Sequence, residues 1–206
     1  MRMTFALRIG FVCVLTVLLS IPLWAHAHAV ISEVMWMGTD VSTQDEWLEI
    51  TGIDTDTNLS GWKLTSVNTS GNEITLVQFA SGTTLLTDAS WVVARYPAAQ
   101  SRLLEEPHNV TSSMTLPNSK LLLRLRNAQG SVVDQADDGA GEPLAGANPS
   151  GGPKASMERS NLHGSGALKA SWKTSTATFG WDEGATIFGN PGSSITSSSS
   201  SSNSSS

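Results

Sequence analysis

Asp45-Glu46-Trp47-Leu48-Glu49-Ile50, then a polar stretch, then Leu59-Ser60-Gly61-Trp62-Lys63-Leu64: this is the part of the chain that decides the fold. Each half alternates large apolar with polar residues, as a strand with one buried face does. Gly52-Ile53-Asp54-Thr55-Asp56-Thr57-Asn58 between them is rich in turn formers. The pattern predicts two adjacent strands, with Trp47 and Trp62 anchoring the core; a tryptophan buries roughly 200 Å².

Further short alternating runs follow in both directions. Val30 to Trp36 is a strand candidate ahead of the central pair, and Glu73 to Phe79, Thr83 to Leu86 and Ser90 to Tyr96 follow it. Lys120 to Arg126 and Ser131 to Asp134 flank Asn127-Ala128-Gln129-Gly130, the strongest hairpin signal in the chain. A last strand is expected over Lys154 to Arg159, after a Gly/Pro/Ala/Asn-rich loop at 139–153. A helical turn fits only in 98–110, where a loop fits equally well. Trp172, Phe179, Trp181 and Phe188 lie irregularly among Gly and Thr, as in a segment draped over a core edge. Many short strands with frequent turns and almost no helix predict an all-β sandwich.

The ends differ from the middle. Residues 1–27 carry Arg2 and Arg8, an apolar run from Ile9 to Trp24, and overlapping small-x-small sites at Ala25-His26-Ala27 and Ala27-His28-Ala29. That is the pattern of a secretory signal peptide; the apolar run falls short of the ~20 residues a membrane span requires. Cleavage predicts a secreted or cell-surface protein with no membrane span. It removes Cys13, the single cysteine, so packing alone must hold the domain. Residues 193–206 are nearly pure serine and read as a low-complexity linker or tail. The domain is therefore expected over 28–192. Net charge is −6, and −8 once the two arginines of 1–27 are gone, which disfavours a nucleic-acid partner.

Six motifs in order resemble the tail domain of lamins, in its bacterial secreted form: Ile31-Ser32-Glu33, Asp45 to Glu49, Leu59 to Leu64, Asn127 to Asp134, Ser156-Met157-Glu158-Arg159 and Gly189-Asn190-Pro191-Gly192. The resemblance covers roughly Ala29 to Gly192. It implies an immunoglobulin-like β-sandwich without catalytic activity or cofactor, serving as an interaction or anchoring module for an unidentified protein or surface polymer. Gly52, and Ser119-Lys120 before the leucine-rich run, depart from the family pattern and bear on local turns.

Chemistry-bearing residues are sparse. His108 and His163 have no partner at catalytic or metal spacing and read as surface histidines. Ser60-Gly61-Trp62-Lys63 matches Ser-x-x-Lys, but inside an expected strand and without companion motifs. Glu46 and Glu49 are expected on opposite strand faces, and Glu33 meets one of them only through strand pairing. A buried glutamate held by backbone donors or an arginine is the expected outcome. Asp134, Asp137 and Asp138 place three carboxylates within five residues, as a solvated acidic turn or a calcium site. Two rival functions remain: a carbohydrate-binding sandwich that stacks sugars on Trp36 or Trp181, and a metal-assisted hydrolase built on the acidic loops. Asn-x-Ser/Thr matches at Asn58, Asn68 and Asn109 carry no weight in a bacterial exported chain.

Overall fold

A computed structural model describes residues 28–193. The expected signal peptide and the serine tract from 194 lie outside the described residues. The strands in chain order are β1 (Ala29–Met35), β2 (Trp47–Gly52), β3 (Thr57–Asn58), β4 (Lys63–Val67), β5 (Glu73–Gln78) and β6 (Thr84–Leu85). They continue with β7 (Ser90–Ala94), β8 (Asn109–Val110), β9 (Leu123–Arg126), β10 (Val132–Ala136), β11 (Met157–Arg159) and β12 (Trp172–Thr174). Single 3₁₀ turns at Ala98–Gln100 and Lys169–Ser171 complete the elements. Among the described residues no helix is long and apolar enough to cross a membrane.

The fold is all-β and sandwich-like. One sheet has the order β12-β11-β1-β2-β7-β8, a second the order β10-β9-β4-β5, and β3 pairs with β6 in a small ribbon. All pairings in the two larger sheets are antiparallel except β7 with β8. One core joins both sheets: Ile31, Val34, Trp47, Leu48, Ile50 and Val93 from the first, Leu64, Leu76, Leu123, Leu125 and Ala136 from the second. In the second sheet the buried leucines of β9 alternate with half-buried arginines, so the period-two pattern becomes the buried layer.

The central stretch is corrected in one respect. Its two halves are not neighbours: β2 lies in the six-stranded sheet and β4 in the four-stranded one. Trp47 is fully buried, whereas Trp62 precedes β4 and is only partly buried against the core. Ser60-Gly61 is a turn, not strand. Asn58 Oδ1 accepts from Ser60 N at 2.9 Å, and Gly61 has φ +73°, a left-handed conformation suited to glycine. The intervening loop sends the chain across the sandwich.

The hairpin forms as read. Asn127 Oδ1 accepts from Gln129 N at 3.1 Å and Ser131 N at 2.9 Å, and Gly130 takes φ +83°, which closes β9 onto β10. In the 98–110 stretch, one 3₁₀ turn is followed by loop and β8. Two bulges interrupt the ladders near the buried acids: β1 shifts register between Ile31 and Glu33, and β10 between Val132 and Asp134. A bulge re-aims the side chains beside it.

Candidate functional site

The bulge in β1 leaves Glu33 directly across from Glu49 of β2 on one side and from Glu158 of β11 on the other. Glu33 and Glu49 are 1% and 3% exposed. Like charges directly opposite on a sheet destabilise it, and burial of a lone carboxylate costs more. Neutral donors surround the pair. Ser156 Oγ donates to Glu33 Oε1, as does Asn190 N at 3.1 Å. Ser32 Oγ donates to Glu49 Oε1 at 2.7 Å, Thr51 Oγ1 adds a bond at 3.2 Å, and Gly192 N reaches Glu49 Oε2 at 2.8 Å. Burial, then the Glu49 charge, pushes the Glu33 carboxyl up to about 8, and burial raises Glu49 as well. The expectation of a buried glutamate held by backbone donors therefore applies to both, with hydroxyls in place of an arginine.

Glu46 precedes β2 and is buried too. Leu116 N donates to its Oε1 at 3.1 Å, and burial pushes it up to about 7. Asp45, fully buried, accepts from Thr39 Oγ1 and from Arg102 N at 3.1 Å, which closes the loop before β2.

The three aspartates at the end of β10 do not form the expected turn, and they do not converge. Asp134 is turned inward by its bulge and takes Arg159 Nη2 at 2.7 Å on both oxygens. Ile31 N donates to it at 2.8 Å, so this one carboxylate joins β10 of one sheet to β1 and β11 of the other. Arg159 also donates to Ile31 O and Gly164 O and lies 4.8 Å over the Trp172 ring. Asp137, fully buried at φ +71°, accepts from Asp138 N and Leu144 N at 2.8 and 2.7 Å and ties down the long loop. Only Asp138 is exposed. With Asp134 occupied by a guanidinium and Asp137 by amides, neither a solvated turn nor a shared calcium site describes them. Among the described residues no three His, Cys, Asp or Glu side chains are grouped to hold a metal.

Trp36 and Trp181 are likewise corrected. Both are buried, at 6% and 9% exposure. Trp36 Nε1 donates to Ala145 O, Trp181 Nε1 donates to Gly189 O, and Trp181 packs edge-on to Trp47 at 5.5 Å. Neither offers a face to a sugar. Among the described residues the large exposed aromatic is Phe179, 62% exposed, with Leu104 at 56%. The two line a cleft of about 250 Å³ with Val92, Leu103 and His108; Pro191 and Gly192 line it as well, and so do Glu105 and Glu106. His108 stacks on Trp91 at 4.7 Å and accepts from Val92 N through Nδ1, and burial lowers its pKa. His163 is exposed, 3.8 Å from Asp54. Sequence reasoning missed this cleft because Leu104 and Phe179 lie 75 positions apart in loops without periodicity.

No protein-family model matches the chain, and no curated protein matches it.

Proposed function

We propose that residues 28–192 are an exported, non-catalytic interaction module of the lamin-tail type, an immunoglobulin-like sandwich acting at or near the cell surface. The observation that carries this reading is the contrast between the inside and the outside of the molecule. Glu33, Glu46, Glu49, Asp134 and Asp137 are each taken up by amides, hydroxyls or an arginine of the fold itself. What faces solvent is an apolar cleft with an exposed phenylalanine at its edge.

The partner is a protein segment with one large apolar side chain flanked by lysine or arginine. The apolar group fills the space beside Phe179 and Leu104, and the basic groups face Glu105 and Glu106 on a chain of net charge −6. Opposite charge on the two partners raises the encounter rate and fixes orientation.

The test uses the secreted protein, the envelope proteins and envelope polysaccharides of the producing cells, and a hydrolase screen with and without divalent metal. Retention by the protein fraction, weakened by salt and reduced at least about tenfold in Phe179→Ser or Leu104→Ser, is the expected result. Retention by polysaccharide alone overturns the partner class. Turnover that disappears in Asp134→Asn or Asp137→Asn overturns the non-catalytic reading.

A further inference from the structure

The segment 189–193 touches both the buried carboxylates and the cleft. Its amides at Asn190 and Gly192 point inward to Glu33 and Glu49. Its Pro191 and Gly192 line the cleft. Ser193 O accepts from Ser90 Oγ at 3.1 Å, which fastens the far end of the segment to β7. We propose that this segment is a proton-operated strap: it stays closed over the Glu33–Glu49 pair while the pair holds a proton, and it lifts when both carboxyls ionise, removing one wall of the cleft. The functional part of the inference rests on the cleft being the docking surface. The strap itself does not.

Charge drives the opening. Glu33 and Glu49 face each other across β1 and β2, and among the described residues no Lys, Arg or His forms an ion pair with either. The remaining charge facing Glu33 is Glu158 on β11, itself 2.9 Å from Lys173 of β12. From β1, β2 and β7 the pair meets only the hydroxyls of Ser32, Thr51 and Ser90, and from the residue before β11 that of Ser156. Two anions in such a place repel each other with little screening. Two amide donors from a loop are weaker compensation than an arginine.

The strap is also the part of this shell most easily withdrawn. Gly189 is held by Ala177 O at 2.8 Å and by Trp181 Nε1 at 3.0 Å and serves as the hinge. From Asn190 onward the strap belongs to no strand or bridge, whereas Ser32, Thr51 and Ser90 lie on strands and Ser156 adjoins one. Asn190 Oδ1 is buried without a hydrogen-bond partner, a cost that lifting the strap removes. Its packing is close: a side chain at Gly189 would meet Trp181 at 2.8 Å and Glu33 Oε1 at 2.9 Å.

Proton counts in the two states set the direction of the switch. In the closed state burial pushes Glu33 up to about 8; in the open state it faces water and returns toward roughly 4.3. Between those values the closed state binds the extra proton. Closure is therefore complete below the lower value and is lost as pH rises through about 8. For one proton the opening constant grows about tenfold per pH unit in that window.

Amide hydrogen exchange tests this on the intact secreted protein without any partner. The protection factors of Asn190 and Gly192, corrected for intrinsic exchange and compared with that of Val93, are measured from about pH 5.5 to about pH 8.5, a range that covers the upper part of the titration window and runs past its end. The expected result is a fall of about tenfold per pH unit at the two strap amides and little change at Val93. Glu33→Gln keeps an acceptor oxygen and cannot ionise, so it flattens the profile; Glu49→Gln removes the like charge opposite and leaves Glu33 buried, so the fall persists but ends at a lower pH. A pH-independent wild-type profile overturns the strap, and so does an unchanged profile in either variant. Because no ligand enters the measurement, a failure of the strap is distinct from a failure of Leu104→Ser and Phe179→Ser to affect binding.

Discussion

Arg159 holds more of the fold than any other charged residue described. Its guanidinium is fully buried against Asp134 and Trp172 and reaches carbonyls on β1, on β10 and in the loop after β11. Removing one partner of a buried pair leaves the other charge without compensation. Arg159→Ala is expected to cost about 3–5 kcal/mol, measured by denaturant unfolding; a change below about 1 kcal/mol would contradict the buried pairing. The buried glutamates make a separate prediction about pH. Glu33 is raised to about 8 and Glu46 to about 7, so folding takes up protons between the ordinary carboxylate value and those values, and stability falls as pH rises through that window. Glu73 acts the other way. Arg126 grips it at 2.6 and 2.8 Å and holds it down to about 2, so its contribution is lost only as pH falls toward that value. The unfolding midpoint is expected to be highest near about pH 5 and lower at about pH 8, and Glu33→Gln is expected to flatten the decline. A midpoint that rises across that range would contradict the assignment. The sequence led to the expectation of a buried glutamate among Glu33, Glu46 and Glu49 without saying which; all three are buried, and strand pairing sets Glu33 opposite Glu49. Sequence reasoning misread Asp134, because the arginine that neutralises it lies 25 positions away and no local pattern announces it.

At the scale of elements, alternation located β1, β2, β5, β7 and β9, but only β9 keeps alternating burial; β1 and β2 are buried on both faces rather than on one. It did not say which sheet a strand joins. Trp47 and Trp62 stand in similar local patterns, yet β2 enters the six-stranded sheet and β4 the four-stranded one. Sheet membership is set by partners distant in sequence, such as β11 on β1 and β9 on β4. A distinction in stability follows. Trp47→Ala is expected to cost about 3–5 kcal/mol and Trp62→Ala less than about 3 kcal/mol, because only the first is fully enclosed. Equal costs in denaturant melts would place Trp62 in the core. The hairpin was legible because Asn127 and Gly130 specify its turn by themselves. The segment 189–192 was visible as a motif, but its contacts to Glu33 and Glu49 span 157 and 143 positions and emerge only in the fold.

For the molecule as a whole, two deletions at the C-terminal end separate the contribution of the strap from that of the residues after it. Deleting 194–206 is expected to leave the melting temperature unchanged, since this serine-rich stretch carries one apolar side chain, Ile195, and has little surface to bury. Deleting 189–206 is expected to lower it, because it strips donors from two buried carboxyls. Equal melting temperatures for the two deletions would show that the strap adds nothing to the fold. The function proposed for the molecule stands or falls on whether the cleft at Leu104 and Phe179 meets a protein partner. Site-specific cross-linking on the secreted protein decides it, with a photoactivatable probe on Phe179→Cys, on Leu104→Cys, or on Val132→Cys at an exposed site on the other sheet. One defined protein adduct is expected on producing cells from positions 104 and 179, competed by unlabelled wild type, and none from position 132. Equal labelling from all three positions, or adducts from position 132 alone, would contradict the docking surface.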